Sequence, residues 1–189
     1  KIDLEQVRKY PQNFVNKTRY RGKVDSDGII QLNYYGDIGY QYNPNAIAQV
    51  GLGYFDLFTE NGSDESKQST ISNANWFLRN GRLVKDDVLL WEYEFPFEMR
   101  KKLEKPWRSA LAQGQAISLL IRAHLLTFDD IYAEAAQKGF NAFRCEGLNH
   151  EGGVLSKDSK KDIWLEEVIM DPPNHILNGF IWALWGVYD

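Results

Sequence analysis

Two neighbouring glutamates near the end of the chain are the first candidates for acid–base chemistry. Glu166 and Glu167 follow the run Ile163-Trp-Leu, which predicts a strand. Because successive strand residues face opposite sides of a sheet, at most one of the two carboxylates can face a cavity. A strand carboxylate is more often simply solvated, so the residues alone leave a catalytic and a solvated interpretation open.

Amide side chains recur at similar positions in three segments with helical periodicity. Gln49, Gln113 and Asn178 follow one another at intervals of 64 and 65 residues. A repeat of this kind predicts stacked helical hairpins. The amides either bond a neighbouring backbone and lock each repeat, or form a ring that binds hydroxyl or carboxylate groups of a ligand.

The predicted central helix carries two polar stripes. On a helical wheel Arg108, Gln115, Ser118 and Arg122 fall in one sector, and Gln113 lies on roughly the opposite side. We expect one stripe to meet solvent and the other to line a cavity.

Aromatic residues make up 14% of the chain, a surplus that either fills a core or lines a carbohydrate cleft. Trp91 and Tyr93 stand on one predicted hairpin and Trp164 on another. Hairpin aromatics cover a core or, where the hairpins share a rim, contact a ligand.

Charge and composition exclude several function classes. The net charge of −4 gives no overall basic field for nucleic acid. The local basic run of residues 100–108 is either a solvated edge or an anion-binding surface. Cys145 is the only cysteine, and the three histidines lack metal-ligand spacing, so no intrachain disulfide and no metal site are expected. No targeting or membrane segment is recognisable, and the sequence leaves the compartment open.

Turn, capping and periodicity signals predict the elements that must position these residues. We expect a single domain, with an irregular lead-in at 1–42 and helical-hairpin repeats at 43–189. The lead-in holds a short helix at 4–10 and a strand-bearing loop at 21–42. Predicted helices cover 44–60, 65–80, 106–126, 130–139 and 174–188, and predicted hairpins cover 83–95 and 152–167.

The recurring order of helix, helix and hairpin predicts the fold class. We expect a mainly α fold, an (α/α) toroid or barrel of helical hairpins whose β-hairpin connections gather at one rim. Five helices would form only an incomplete barrel. We therefore expect the remaining helices to come from a C-terminal segment absent from this sequence or from another chain.

Several stretches in the same order resemble the C-terminal catalytic domain of the D-glucuronyl C5-epimerases. They are YNPNAIAQVGLG at 42–53, WRSALAQGQAIS at 107–118, WLEE at 164–167, and ILNGF at 176–180 followed by GVYD at 186–189. The resemblance implies an (α/α) barrel and an isomerase without a cofactor. It also implies epimerisation at C5 of D-glucuronate residues, to iduronate, in an anionic heparosan-type polysaccharide.

The reaction defines what the site must contain. The C5 proton of a uronate is a very weak acid, so the site must stabilise the enediolate that forms when this proton leaves. One group must take the proton on one face, and another must return it on the other. The resemblance assigns Glu167 to acid–base chemistry and Asn178 to substrate contact. The other residues expected to bind substrate are Gln49, Trp91, Tyr93, Arg108, Gln113, Gln115 and Arg122.

Two departures from the family pattern keep alternatives open. Val168 and Ile169 stand where the family has tyrosine and proline, and other family tyrosines would lie beyond Asp189. The alternatives are a non-catalytic carbohydrate-binding toroid and a uronate polysaccharide lyase on the same scaffold. The expected partner is an anionic polysaccharide or oligosaccharide, and a homodimer is a further open alternative.

Overall fold

The computed structural model describes residues 10–84, 87–147 and 152–189. Within these ranges the α-helices are α1 Pro44–Asn61, α2 Asp64–Asn80, α3 Ala110–Thr127, α4 Asp130–Asn141 and α5 Leu177–Tyr188. Short 3₁₀ helices span Val15–Arg19 and Ala142–Arg144. The helix predicted at 4–10 lies outside the described residues except for Tyr10. In the described parts of the chain, none of the helices combines the length and the apolar character that a membrane span requires.

The strands form small antiparallel sheets. β1 Lys23–Val24, β2 Ile30–Asn33 and β3 Tyr40–Gln41 form a three-stranded sheet, and the hairpins pair β4 Arg82–Val84 with β5 Val88–Leu90, β6 Phe97–Glu98 with β7 Lys102–Leu103, and β8 Leu155–Lys157 with β9 Ile163–Leu165. The hairpins predicted near 83 and 152 are confirmed, although shorter than expected. The β6–β7 hairpin is an addition that no sequence signal predicts.

Capping residues set the helix boundaries. The side chain of Asn43 accepts a hydrogen bond from the Ala46 amide at the start of α1, which ends at Gly62 with a φ of 68°. The predicted start of the central helix at 106 is wrong. Trp107 instead pairs with Tyr93 in an isolated antiparallel bridge, and the hydroxyl of Ser109 caps α3.

Helix α3 lies at the centre of the molecule. It packs against α1, α2, α4 and α5, and none of its residues is exposed. The predicted (α/α) toroid is therefore wrong, since an inner helix of a toroid keeps one face toward a central cleft and α3 has no such face. The described chain is a cluster of helices around α3, fringed by small antiparallel sheets.

Glycines allow α3 and α5 to approach closely. A Cβ atom on Gly186 would lie 2.1 Å from the Gly114 carbonyl oxygen, and one on Gly114 would lie 2.6 Å from the Ala183 carbonyl oxygen. Only glycine permits this backbone contact. The contact fixes α5 along α3, and with it the segment that connects β9 to α5.

Candidate functional site

Glu167 lies in a pocket of about 160 Å³. The pocket forms where the first turn of α1, the residues before α3 and the segment after β9 meet. Its lining residues are Asn45, Tyr93, Phe97, Met99, Trp107, Ser109, Leu111, Glu167 and Val168.

Two backbone hydrogen bonds place Glu167 in this pocket. The Ala110 amide donates to the Glu166 carbonyl at 2.8 Å, and the Ile169 amide donates to the Arg108 carbonyl at 3.2 Å. The segment after β9 therefore runs beside the residues that begin α3. As a result, Glu167 lies against the N-terminal end of the best-buried helix.

Tyr93 and Trp107 form one wall of the pocket. Their rings stack with centroids 3.7 Å apart and planes at 6°, and their backbones exchange hydrogen bonds of 2.9 and 3.2 Å. The indole N–H of Trp107 also donates to the Phe95 carbonyl at 2.8 Å. These contacts fix the position of the aromatic wall of the pocket.

One oxygen of the Glu167 carboxyl group, Oε2, is buried and makes no hydrogen bond. Burial raises the pKa of the Glu167 carboxyl above its usual value. Gly179 in α5 allows the close approach, since a Cβ atom there would lie 2.3 Å from Oε2. A carboxyl group with a raised pKa and a free oxygen suits proton transfer near neutral pH.

The Tyr93 hydroxyl is held in its protonated form. Burial raises its pKa, and the nearby Tyr34 and Glu167 groups raise it further, while a hydrogen bond from the Asn45 backbone favours the tyrosinate. The net effect keeps the proton on Tyr93. The pocket therefore contains a proton donor, Tyr93, whose pKa is affected by the charge of the Glu167 carboxylate.

Glu166 faces away from the pocket. Only 1% of the residue is exposed. Its Oε1 accepts a hydrogen bond from the Ser156 hydroxyl at 2.5 Å and lies 2.7 Å from Nδ1 of His175, and its Oε2 accepts the His175 amide at 3.2 Å. These contacts hold the segment that carries Glu167 between β8 and the start of α5.

Gln113 is committed to the backbone of its neighbours. Its Nε2 donates to the carbonyls of Leu89 at 2.7 Å and Gly139 at 3.0 Å, and its Oε1 accepts the Trp91 amide at 3.3 Å. It joins α3 to the end of β5 and to α4, and it does not line the pocket.

The other predicted amides and Trp91 also lie outside the pocket lining. Gln49 is buried one helical turn from Asn45, with Nε2 3.5 Å from the Asn45 Oδ1. Asn178 is exposed in the first turn of α5. Trp91 is in the core, where its indole N–H donates to the Phe77 carbonyl at 2.9 Å.

The polar stripe of Arg108, Gln115, Ser118 and Arg122 is divided, because Arg108 lies before the start of α3 and the other three side chains are buried. Gln115 is fully buried beside Tyr10. Arg122 is buried and donates to Asp189 at 2.8 Å, so its charge is already balanced inside the protein. Arg108 precedes α3 and donates to the Gly147 carbonyl at 2.8 Å, at the edge of a second pocket.

Of the predicted site residues, the structure brings only Glu167 and Tyr93 together in the first pocket. Sequence reasoning missed Asn45, Trp107 and Ser109 as lining residues. An isolated bridge such as that of Tyr93 with Trp107 has no periodicity to reveal it. The N-cap pattern at Ser109 was the available signal for that residue, because Ser before an apolar helical run is a typical helix start.

This chain is similar to several known proteins. The family described as D-glucuronyl C5-epimerase C-terminus matches residues 85–189. A D-glucuronyl C5-epimerase of Caenorhabditis elegans is 34% identical over 129 residues, which cover 67% of this chain and 20% of that protein. An uncharacterised protein of Methanocaldococcus jannaschii is 28% identical over 176 residues, which cover 82% of this chain and 56% of that protein.

The chain thus spans about a fifth and about half of the lengths of these two relatives. The family match includes Tyr93, Trp107 and Glu167. On the extent of that match and the identity to the nematode enzyme, the chain belongs to the D-glucuronyl C5-epimerase family, in its C-terminal part.

Proposed function

We propose that the protein acts as an epimerase at C5 of D-glucuronate residues in an anionic polysaccharide, giving iduronate. The observation that carries this proposal is that the partly buried Glu167 carboxyl group and the Tyr93 side chain line one pocket. Family membership supports an epimerase-type reaction.

In the proposed reaction the Glu167 carboxylate removes the C5 proton from one face of the sugar. The electron pair of the C–H bond moves toward the substrate carboxyl group to form an enediolate. The Tyr93 hydroxyl returns a proton to the opposite face of C5, which inverts this carbon. Exchange with solvent then deprotonates Glu167 and reprotonates Tyr93.

A non-catalytic carbohydrate-binding site is the second candidate function. Val168 favours it, because this buried side chain packs with Leu103 and Met170 where the family pattern has tyrosine. Valine can neither give nor take a proton. Under this alternative the pocket would bind a uronate without exchanging its C5 hydrogen.

Deuterium incorporation tests the proposal. We would incubate the full-length protein with an unsulfated glucuronate-containing oligosaccharide in D₂O and follow C5 by NMR. The wild type is expected to incorporate deuterium, and Glu167→Gln to lose roughly 100-fold or more of this rate, the order of a general acid–base contribution. The matched control is Glu134→Gln, an exposed carboxylate on α4, which should exchange like the wild type.

The same experiment separates the alternatives. Binding without deuterium at C5 would replace the epimerase with a carbohydrate-binding protein. Release of an unsaturated uronate, detected by its ultraviolet absorbance, would indicate a lyase. Unchanged exchange in Glu167→Gln would exclude the role given to Glu167.

A further inference from the structure

A second pocket, of about 260 Å³, adjoins the Glu167 pocket at Trp107, which lines both. Its lining residues are Lys101, Lys102, Leu103, Glu104, Pro106, Trp107, Arg108, Ile169, Met170 and Asp171. We propose that this second pocket is a subsite for the carboxylate of another uronate in the same polysaccharide chain, with Arg108 as its anchor. The subsite rests on the proposed function, since it assumes a polyuronate in the Glu167 pocket.

The two pockets share Trp107, and elsewhere they are lined by residues that lie close together in the same two segments. In the segment after β9, Val168 lines the first pocket and Ile169 the second. In the β6–β7 turn, Met99 lines the first pocket and Lys101 the second. The segment after β9 and the turn of the β6–β7 hairpin therefore border both pockets. A chain bound at Glu167 can continue along this border into the second pocket.

The Arg108 guanidinium group forms no ion pair with the described residues. It is half-buried, donates to the Gly147 carbonyl at 2.8 Å, and has no carboxylate within ion-pair distance in those parts of the chain. Burial lowers the pKa of its guanidinium group, because a partly buried charge loses the favourable contact with water at a cost in free energy. A bound carboxylate would remove this cost and could accept two parallel N–H bonds from the guanidinium fork.

Two lysines add positive charge to the same pocket. The Lys101 ammonium donates to the Asp171 carbonyl oxygen, and the ammonium of Lys102 lies 2.8 Å from the Glu104 carboxylate in an exposed pair. Exposed pairs contribute little free energy, so a ligand carboxylate can compete for Lys102.

With Arg108, three cations and two acidic groups line the pocket, while the whole chain carries a net charge of −4. The positive charge is therefore local to the border of the Glu167 pocket, as recognition of an anionic chain requires.

Calorimetric titration of the full-length protein tests the subsite. The probes are an unsulfated oligosaccharide of alternating glucuronate and N-acetylglucosamine, and the same oligosaccharide with its carboxyl groups reduced to alcohols. The variants are Arg108→Gln, Arg108→Lys and the exposed double variant Lys101→Gln/Lys102→Gln. The matched control is Lys17→Gln/Lys138→Gln, two exposed lysines on other elements with the same change in net charge.

We expect Arg108→Gln to weaken binding of the acidic oligosaccharide about tenfold or more, and Arg108→Lys to weaken it less. The Lys101/Lys102 double variant should weaken binding and flatten its salt dependence, whereas the control should do neither. The reduced oligosaccharide should bind the wild type and Arg108→Gln equally.

Two results overturn the subsite. One is equal affinity of the acidic oligosaccharide for Arg108→Gln, the lysine double variant and the control; the other is a wild type that does not bind it. Deuterium exchange at C5 separates this failure from failure of the proposed function. If the wild type binds the oligosaccharide without exchange at C5, the epimerase proposal is contradicted and the subsite is retained. If the wild type exchanges at C5 and the variants bind as tightly as the wild type, the subsite is contradicted and the epimerase proposal is retained.

Discussion

Glu166 and Glu167 are adjacent in sequence, but their carboxyl groups face opposite sides of the segment that follows β9. The first is buried and accepts hydrogen bonds from Ser156 and His175. The second lines a pocket and keeps a buried oxygen without a partner. The fold thus satisfies one carboxylate for structure and leaves its neighbour free for a ligand.

Replacing Glu167 should stabilise the protein in a pH-dependent way. Because burial raises the pKa of Glu167 in the folded state, the native protein loses stability as pH rises from the unfolded value of about 4.3 through that raised pKa. The Glu167→Gln variant has no ionisable group at this position and therefore does not lose stability in this way as pH rises. We therefore expect a higher melting temperature than the wild type at pH 7 and no such difference near pH 4, measured by thermal unfolding.

Glu134→Gln is the control for that measurement, because an exposed carboxylate should give no pH-dependent difference. A gain of equal size at both pH values would contradict the prediction. Activity should follow the same ionisation: exchange at C5 should fall as Glu167 is protonated, at a pH above that of an ordinary glutamate.

The hydroxyl of Ser156 should stabilise the segment that holds Glu167. Ser156→Ala removes one hydrogen bond to the buried Glu166 carboxylate, which should cost about 1–3 kcal/mol of unfolding free energy. Ser159→Ala, on the exposed turn between β8 and β9, should stay within about 0.5 kcal/mol of the wild type. Urea unfolding measures both, and equal losses would mean that the contact with Glu166 contributes nothing specific.

Local signals predicted much of the secondary structure. The Asn43 cap and the Gly62 stop of α1 follow from capping preferences, and the β4–β5 and β8–β9 hairpins follow from turn residues. The opposite directions of Glu166 and Glu167 follow from their adjacency. These features depend on residues close together in the chain, which sequence patterns record.

Features that depend on long-range contacts escaped prediction. The repeat of Gln49, Gln113 and Asn178 predicted equivalent roles, but the three amides are respectively buried, bonded to distant backbone and exposed. The prediction of a toroid was wrong for the same reason. Helical periodicity shows that one face of a helix is apolar, but it does not show how many neighbouring elements cover that helix. The bridge of Tyr93 with Trp107 likewise has no local pattern.

Gln113 should act as a structural cross-link. Gln113→Ala removes the hydrogen bonds that this side chain makes to two carbonyls and one amide, so we expect a loss of about 3 kcal/mol in unfolding free energy. Gln137→Ala, an exposed amide on α4, is the control and should change stability by less than about 0.5 kcal/mol. A stable Gln113→Ala protein with weakened oligosaccharide binding would instead favour the ligand-binding role.

Gly179 should set the position of Glu167. A Cβ atom at this position would lie 2.3 Å from Oε2 and 2.4 Å from the Cβ atom of Glu167, so rotation of the glutamate side chain cannot relieve both contacts. Alanine is intrinsically better than glycine in a helix by about 1 kcal/mol, so α5 itself should form. We expect Gly179→Ala to displace the carboxylate and to lower C5 exchange about 100-fold, mainly in kcat. Leu177→Ala, whose parent side chain is 60% exposed in the same helical turn, should exchange like the wild type. Exchange at the wild-type rate in a folded Gly179→Ala protein would show that the position of Glu167 does not limit the reaction.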